Sequence, residues 1–354
     1  MVQMPMKSAL ALLLASAATA ASAAPAELAF VSIRSGDPQI FVRDGEQRVR
    51  ALTEGRSLAA QPALAPSGRL AYTVRDGAHT RIVITDDQGR SPEVLTNIRR
   101  FESSPSWSPD GRLLAFFART IEDGTKVALV VVDVATRQEK ALAGIVGDMG
   151  PTAPSWSADG QRLAYVAATG RRGHVFVVGL DGGAPRNISE GFASRGGVTP
   201  QISPDGKRVA WIADLQARTP VVVTDLETGQ TRDLTPESLA ACETPRWSPD
   251  GERIAFVSLR DTYGAGRNDV FVMKADGTEM RNVTQHEAED FNPRWSSDGG
   301  RLFYTSLRTG TSLIFELNLA TGATRPVSVH GSHDMDHVTR PVAQVKASAG
   351  ATTR

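Results

Sequence analysis

The densest group of side chains able to hold a metal ion lies near the end of the chain. Three histidines and two aspartates fall within eight residues: His330, His333, Asp334, Asp336 and His337. Imidazole and carboxylate groups bind divalent metals and also act as general acids and bases. Their spacing matches no zinc motif of the His-Glu-x-x-His type, and the segment is predicted to be a loop. A polar connection is the simpler interpretation, and a metal or acid–base site is the alternative.

Acidic residues also recur in the segments that lead into successive predicted strands. They are Glu102, Asp148, Glu243, Glu287, Glu289, Asp290 and Asp336. Such a set could bind a cation or a basic loop of a partner, whereas solvated loops are the simpler interpretation. Together with the histidine segment it defines the predicted binding site, to which we assign no catalytic residue and no cofactor. A divalent metal is the open alternative, and the site residues are Glu102, Glu243, Asp290, His333, Asp336 and His337.

A repeated turn motif must position these groups. Trp247-Ser248-Pro249-Asp250-Gly251 recurs unchanged at residues 107–111 and with small changes at four other places. Ser-Pro-Asp-Gly fits a type I turn, because proline sets φ at its second position and glycine ends it. A large apolar residue precedes each turn and an alternating apolar segment follows it, so each copy is predicted to be a β-hairpin. The repeated aspartates and tryptophans are therefore interpreted as turn and core residues.

The spacing of the motif predicts the architecture. The motif glycines stand at positions 68, 111, 160, 206, 251 and 299, at steps of 43, 49, 46, 45 and 48 residues. This period is typical of four-stranded propeller blades. The chain contains seven sets of second to fourth strands but only six inner strands with the motif. We therefore predict an all-β, seven-bladed propeller closed by the N-terminal strand and a C-terminal strand at Val338–Ala343, with six blades as the alternative.

The start of the chain has the features of a secretory signal peptide. Lys7 precedes an apolar run from Ala9 to Ala21, and Ala21-Ser22-Ala23 has the small-x-small form of a cleavage site. We predict a signal peptide at residues 1–23, a single propeller domain at 24–343 and a disordered tail at 344–354. The protein is then periplasmic or secreted, and no other apolar run is long enough to cross a bilayer.

Charge and cysteine content limit the classes of partner. The 39 basic and 39 acidic residues cancel and form no charge block, which argues against nucleic acid or an anionic membrane as the main partner. The one cysteine, Cys242, excludes an internal disulfide and is predicted to be a buried apolar side chain. We expect a monomer.

The repeats resemble the Pro-Asp variety of WD40-like repeat found in TolB-like propellers. The resemblance rests on Pro105–Gly111, Pro245–Gly251 and their degenerate copies, and it spans nearly all of the predicted mature chain. It implies a propeller that binds other proteins. TolB itself has six blades behind an α/β domain, and we expect no such domain here. The chain is also similar to oligogalacturonate lyase, a seven-bladed propeller that uses a metal and histidines at its channel mouth.

Three functions follow from these observations. Structural repeats without a catalytic constellation favour an exported, non-catalytic propeller that binds a protein or peptide of the cell envelope through one channel face. The alternatives are a metal-assisted lyase or hydrolase, and a saccharide-binding propeller, with the site at the same channel mouth. An enzyme would need His333 or His337 close to acids from other blades, whereas a scaffold needs only an accessible surface.

Overall fold

Four-stranded antiparallel sheets follow one another around a ring. The computed structural model describes residues 26–55, 58–77, 79–96, 100–120, 126–146, 152–169, 172–190, 192, 194–236, 241–259, 267–328 and 333–341. These ranges contain seven sheets, which we number blade 1 to blade 7 along the chain. The seven blades and the all-β class confirm the predicted propeller.

The first four blades contain β1 (Ala26–Ser32), β2 (Gln39–Asp44) and β3 (Val49–Ala51); β4 (Ala59–Leu64), β5 (Leu70–Asp76), β6 (His79–Ile84) and β7 (Glu93–Val94); β8 (Arg100–Trp107), β9 (Leu113–Thr120), β10 (Lys126–Asp133) and β11 (Glu139–Val146); and β12 (Ser155–Trp156), β13 (Arg162–Thr169), β14 (Arg172–Gly179) and β15 (Arg186–Asn187). The last three contain β16 (Gly197–Ile202), β17 (Arg208–Ala213), β18 (Val221–Asp225) and β19 (Thr231–Asp233); β20 (Cys242–Trp247), β21 (Arg253–Ser258), β22 (Asp269–Lys274) and β23 (Arg281–Asn282); and β24 (Asp290–Trp295), β25 (Arg301–Ser306), β26 (Leu313–Asn318) and β27 (Thr324–Pro326). The final strand, β28 (Asp334–Thr339), returns to blade 1.

The repeated motif forms the turn between the first two strands of its blade. In blade 3 the Gly111 N–H donates to the Ser108 carbonyl at 2.9 Å, and Gly111 has φ of 69°. The Ser108 hydroxyl donates to Asp110 at 2.7 Å, and that carboxylate accepts the Arg112 N–H at 3.1 Å. The motif aspartates therefore bind their own turns, as predicted from the sequence.

Ring closure occurs as predicted, but four residues earlier in the chain. The inner strand of blade 1 is β28, which pairs antiparallel with β1 through Asp334 opposite Ser32 and Thr339 opposite Leu28. The predicted strand at Val338–Ala343 is therefore wrong in position, and Asp334, Asp336 and His337, which were predicted to lie in a loop, belong to the closing strand. The closing strand starts earlier because Asp334 begins β28 in the way that Asp290 begins β24. In both strands this aspartate lies opposite a serine.

The apolar core lies in the seams between blades. One cluster joins Leu129 and Phe117 of blade 3 to Trp156, Leu163 and Tyr165 of blade 4. Each fully buried side chain of this size contributes about 1.5–3 kcal/mol to folding. Each blade buries both of its faces against the neighbouring blades. The inner strand of each blade therefore has one unpaired edge, and this edge faces the central channel.

Some of the predicted features lie outside the residues that the structure describes, and others lie within them and are tested. The signal peptide, His330, Asp148, Val342, Ala343 and the tail at 344–354 lie outside the described residues. Cys242 is buried and forms no disulfide, which confirms its predicted place in the core. No helix in the described part of the chain has the length and apolar character of a membrane span.

Candidate functional site

The inner strands share a bulge that shapes the channel wall. A residue with positive φ interrupts the register of six of them. Proline follows it in five strands, which suits a bulged edge strand because proline has no N–H to donate to a ladder. The positive-φ residues are Gln61, Ser104, Thr199, Thr244, Asn292 and Asp336.

In blade 1 a histidine, His337, occupies the place that proline takes in the other bulges. It is buried, with Nδ1 3.3 Å from the Thr305 hydroxyl and Nε2 3.3 Å from the Phe303 carbonyl of blade 7. Burial, together with the nearby positive charges of Arg294 and Arg246, lowers the pKa of His337 to about 3. The imidazole is thus neutral and packed in the seam between blades 7 and 1, not at an open mouth.

Asp290 also lies in the interior, in an ion pair that occurs twice. Its carboxylate is 3.1 Å from Arg308, whose Nε donates to Ser306 at 2.8 Å and whose guanidinium lies 4.5 Å from the Phe315 ring centre. Burial raises the pKa of Asp290 even though Ser306 and Arg308 oppose this effect. In blade 1 the same arrangement is formed by Asp334, Arg34, Ser32 and Phe41.

The sequence contains a signal for this ion pair. Ser32-Ile33-Arg34 and Ser306-Leu307-Arg308 place an arginine two residues after the serine that ends the second strand. The aspartate of each pair begins the adjacent inner strand. A Ser-x-Arg segment therefore indicates that an acid at the start of that inner strand is structural.

Glu102 occupies the corresponding place in blade 3. It is buried, its carboxylate lies 2.7 Å from Arg100, and it accepts the Ile82 N–H of blade 2 at 3.1 Å. It also accepts a hydrogen bond from the Thr96 hydroxyl. Burial raises the pKa of Glu102, and Thr96 and Arg100 oppose the increase. This carboxylate joins two blades.

The other three predicted site residues are exposed. They are Glu243, Asp336 and His333. The structure thus divides the six candidates between the interior and the surface and does not bring them into one cluster. In the part of the chain that it describes, no three His, Cys, Asp or Glu side chains form a group able to hold a metal ion. Binding by these residues stays a prediction.

Arginines in the channel wall were missed by the sequence analysis. Arg246 and Arg294 directly precede the tryptophans that end β20 and β24, and each is partly exposed. Since these are inner strands, the exposed part of each side chain faces the channel. Both stand in the same tetrapeptide, Pro-Arg-Trp-Ser, at Pro245–Ser248 and Pro293–Ser296, which is the sequence signal for them. That the two side chains come together depends on two different blades.

The mouth at which the inner strands begin is apolar in part. Val198 and Met335 stand at the same register position on β16 and β28 and are 44% and 39% exposed. Phe101, two positions nearer the mouth on β8, is 46% exposed. Single exposed apolar side chains are ordinary on a protein surface, but these three lie near the starts of three inner strands, at one mouth of the channel. This shared position makes the mouth a candidate contact surface.

A separate groove of about 680 Å³ lies between the outer strands of blades 5 and 6. Both signs of charge line it, with Arg232, Lys274 and Arg281 facing Asp276 and Glu279. This charge balance selects no ligand, and the groove is distant from the channel. We therefore place the candidate site at the channel and not in this groove.

Comparison with protein families agrees with this fold. The model described as the TolB beta propeller domain matches residues 16–153 and 193–346, which is most of the chain. The chain belongs to the TolB β-propeller family. The lipoprotein LpqB beta-propeller domain also matches, over residues 92–241 of this TolB-type propeller.

Individual relatives are more distant. The Tol-Pal system protein TolB of Bordetella avium is 39% identical over 122 residues, which is 34% of this chain and 26% of that protein. The chain thus matches less than two thirds of the length of this relative. The crystal structure of TolB from Acinetobacter baumannii superposes with a TM-score of 0.54 at 22% identity, covering 71% of this chain and 62% of that one.

An enzyme has a similar fold. Oligogalacturonate lyase from Vibrio parahaemolyticus superposes with a TM-score of 0.60 at 15% identity, and 87% of each chain is covered. At this identity the likeness establishes the fold alone. The match to the TolB beta propeller domain shows the family. What the protein binds depends on the residues of its own channel.

Proposed function

We propose that this TolB-type propeller is a non-catalytic scaffold that binds a protein or peptide of the cell envelope at its channel mouth. The observation that supports it best is the exposed apolar mouth formed by Phe101, Val198 and Met335 above a polar channel wall. An extended peptide can bury such side chains and hydrogen-bond to the strand edges below them.

The proposal includes export. The family relationship suits an envelope protein, since its matched relative is a Tol-Pal system protein. We propose that residues 1–23 form a signal peptide cleaved after Ala23 and that the mature propeller is periplasmic or secreted. Sequencing the N terminus of the protein recovered from the periplasm tests this, and an N terminus at Met1 contradicts it.

Crosslinking in whole cells tests the binding surface. Val198→Ser and Met335→Ser are expected to reduce the yield of the crosslinked partner by roughly tenfold, because each removes apolar contact area. Val94→Ser is the matched control, since Val94 is 38% exposed on the outer strand β7, away from the channel. Equal partner yields from the mouth variants and the control would contradict the proposal.

The metal-assisted lyase alternative has its own test. It requires a bound metal, so metal analysis is made on protein purified without a histidine tag. A stoichiometric divalent ion that is lost in a His333→Ala variant would replace the scaffold proposal by the enzyme.

A further inference from the structure

Two arginines occupy equivalent places on neighbouring blades. Arg246 lies opposite Ala255 and Arg294 opposite Phe303, and these partners are the third residues of their strands, β21 and β25. The Trp295 indole donates to the Arg246 carbonyl at 2.9 Å, which holds the two inner strands side by side. Two guanidinium groups therefore face the same sector of the channel.

Neither arginine has an acidic partner within 4.0 Å among the described residues. Arg294 donates through Nε to the His337 carbonyl at 3.2 Å. In the part of the chain that the structure describes, Arg246 donates only to the Pro245 carbonyl, at 3.3 Å, and its Nε is buried without a hydrogen-bond partner. This contrasts with Arg43, Arg100 and Arg308, each of which contacts a carboxylate.

Each arginine is affected by the charges around it. Burial, and then the positive charge of Arg294, lowers the pKa of Arg246. Burial lowers the pKa of Arg294 to about 10, while the carboxylate of Asp336 opposes that change. Two like charges facing one space repel each other, and an anion between them would relieve the repulsion.

Polar groups on neighbouring inner strands are also unsatisfied. The Thr199 and Thr244 hydroxyls, in the bulges of β16 and β20, are buried and have no hydrogen-bond partner among the residues that the structure describes. The Gln201 Oε1 accepts the backbone N–H of Trp247 at 2.8 Å, which leaves the side-chain NH₂ of Gln201 free to donate. Buried polar groups without partners call for a water, an ion or a ligand.

The groups of this sector select the anion. Arg246 and Arg294 bring two guanidinium groups, one carboxylate, that of Asp336, acts on Arg294, and His337 is neutral. A singly charged anion meets less repulsion from that carboxylate than a doubly charged phosphate does. A guanidinium also matches the planar geometry of a carboxylate.

We propose that Arg246 and Arg294 form a carboxylate-binding site in the central channel, which receives an acidic side chain or the C terminus of a peptide bound at the mouth. The source of the carboxylate rests on the proposed function, whereas the anion site itself does not. The site explains why, among the described residues, the two arginines lack an acidic partner and the two threonine hydroxyls on neighbouring inner strands lack a hydrogen-bond partner.

Peptide pairs that differ only in one charge test the site. The probes are N-acetyl-Ala-Leu with a free terminus, the same peptide as its amide, and N-acetyl-Ala-Glu-amide, with binding to the purified mature protein followed by NMR titration. The free-terminus peptide, the glutamate peptide or both are expected to bind at least roughly tenfold more tightly than the amide, since hydrogen bonds to charged groups are among the strongest. Equal binding of all three peptides would overturn the proposal.

Variants locate the site. Arg246→Gln and Arg294→Gln should each abolish the preference for the charged peptides. Arg281→Gln removes the same charge from the outer groove and should keep it. If a glutamine variant does not fold, Arg246→Lys and Arg294→Lys replace it and should retain only part of the preference, because lysine lacks the planar fork. A preference as large as that of the unchanged protein in the folded glutamine or lysine variants overturns the proposal.

Inorganic phosphate provides the remaining comparison. If phosphate competes with the charged peptides more strongly than acetate does at equal ionic strength, the site is a phosphate site and the carboxylate assignment fails.

The scaffold function and the carboxylate site can be contradicted independently of each other. Charged-peptide binding without any crosslinked partner would contradict the scaffold function and leave the site, whereas a partner captured equally by Arg246→Gln would leave the function and remove the site.

Discussion

Among the seams between neighbouring blades, two kinds contrast because they use different interactions. At four seams of the described structure, the indole N–H of a motif tryptophan donates to a carbonyl in the preceding blade. The pairs are Trp107 with Ala63 at 3.1 Å, Trp156 with Ser106 at 3.0 Å, Trp247 with Gln201 at 3.1 Å and Trp295 with Arg246 at 2.9 Å. Because the tryptophan belongs to the repeated motif, the repeat itself encodes the hydrogen bond at these seams.

The seam between blades 7 and 1 is built differently. Thr339 stands at the register position that tryptophan takes in other blades. Charged side chains span this seam instead, with Glu316 2.6 Å from Arg43 and Glu27 paired with Arg301. The partners are more than 270 residues apart in the chain.

The difference teaches how a propeller selects its closing partner. An apolar seam tolerates small shifts, whereas buried charges are strongly destabilising unless each meets its partner. We therefore expect the ionic seam to favour one register of closure. The predictions below separate the two kinds of seam, from the largest effect to the smallest.

Removal of the closing strand should have the largest effect. A chain that stops after residue 332 lacks β28, so β1, with Leu28 and Phe30 in the core, becomes an open edge. We expect aggregation and loss of the cooperative unfolding transition. A chain that stops after residue 343 is the control, and it should unfold like the full chain by circular dichroism. Equal behaviour of the two truncated chains would show that the ring closes without β28.

Loss of Glu316 should destabilise the ionic seam strongly. Its buried carboxylate contacts Arg43, Arg301 and Arg325. Glu316→Ala therefore leaves the buried Arg43 with Glu27, at 3.3 Å, as its remaining acidic partner among the described residues. The free energy of unfolding in urea should fall by about 3–5 kcal/mol. Glu279→Ala removes the exposed partner of Lys274 and should change it by less than about 1 kcal/mol. A fall of similar size in both variants contradicts this view of the seam.

Acid should weaken the same seam through His337. Above about pH 6.5 its imidazole is neutral in the folded and unfolded states. Below that pH the unfolded chain binds a proton that the folded protein excludes until about pH 3, so stability falls as the pH falls. By pH 5 the loss should reach about 2 kcal/mol, at about 1.4 kcal/mol for each pH unit.

His337→Pro is the matched variant for the pH measurement. Proline occupies this place in five other inner strands, so the variant should fold and should lack this part of the pH dependence. Urea unfolding of both proteins at pH 7 and pH 5 gives the comparison. Parallel losses of stability in the two proteins would mean that His337 does not contribute.

An apolar seam should respond least to a polar change. Trp247→Phe keeps an aromatic ring in the seam and removes the hydrogen bond to Gln201. The free energy of unfolding should decrease by about 1 kcal/mol. Trp211→Phe is a control within one blade, because that indole donates to Thr224 of the same sheet. Similar losses in the two variants are expected, and a loss near that of Glu316→Ala would remove the distinction between the seams.

The turn motif was sufficient to predict the blades. Ser-Pro-Asp-Gly forms its hydrogen bonds within five residues, as Ser108 and Asp110 show, so its geometry is encoded locally. Its spacing then sets the number of sheets. There are more sets of outer strands than inner strands with the motif, which also predicted that the N-terminal and C-terminal strands close the ring. The predicted position of the C-terminal strand was wrong by four residues.

The candidate site could be predicted only in part, because its groups are placed by contacts between blades. Residue type and spacing singled out His337 and Asp290, but the chain fold buries both against neighbouring strands. The same fold brings Arg246 and Arg294, 48 positions apart in sequence, to one sector of the channel. The sequence by itself determined the repeated hairpin and hence the ring, since turns are local. Only the tertiary structure decided which charges are paired in the seams and which face the channel, since that depends on how the blades pack against one another.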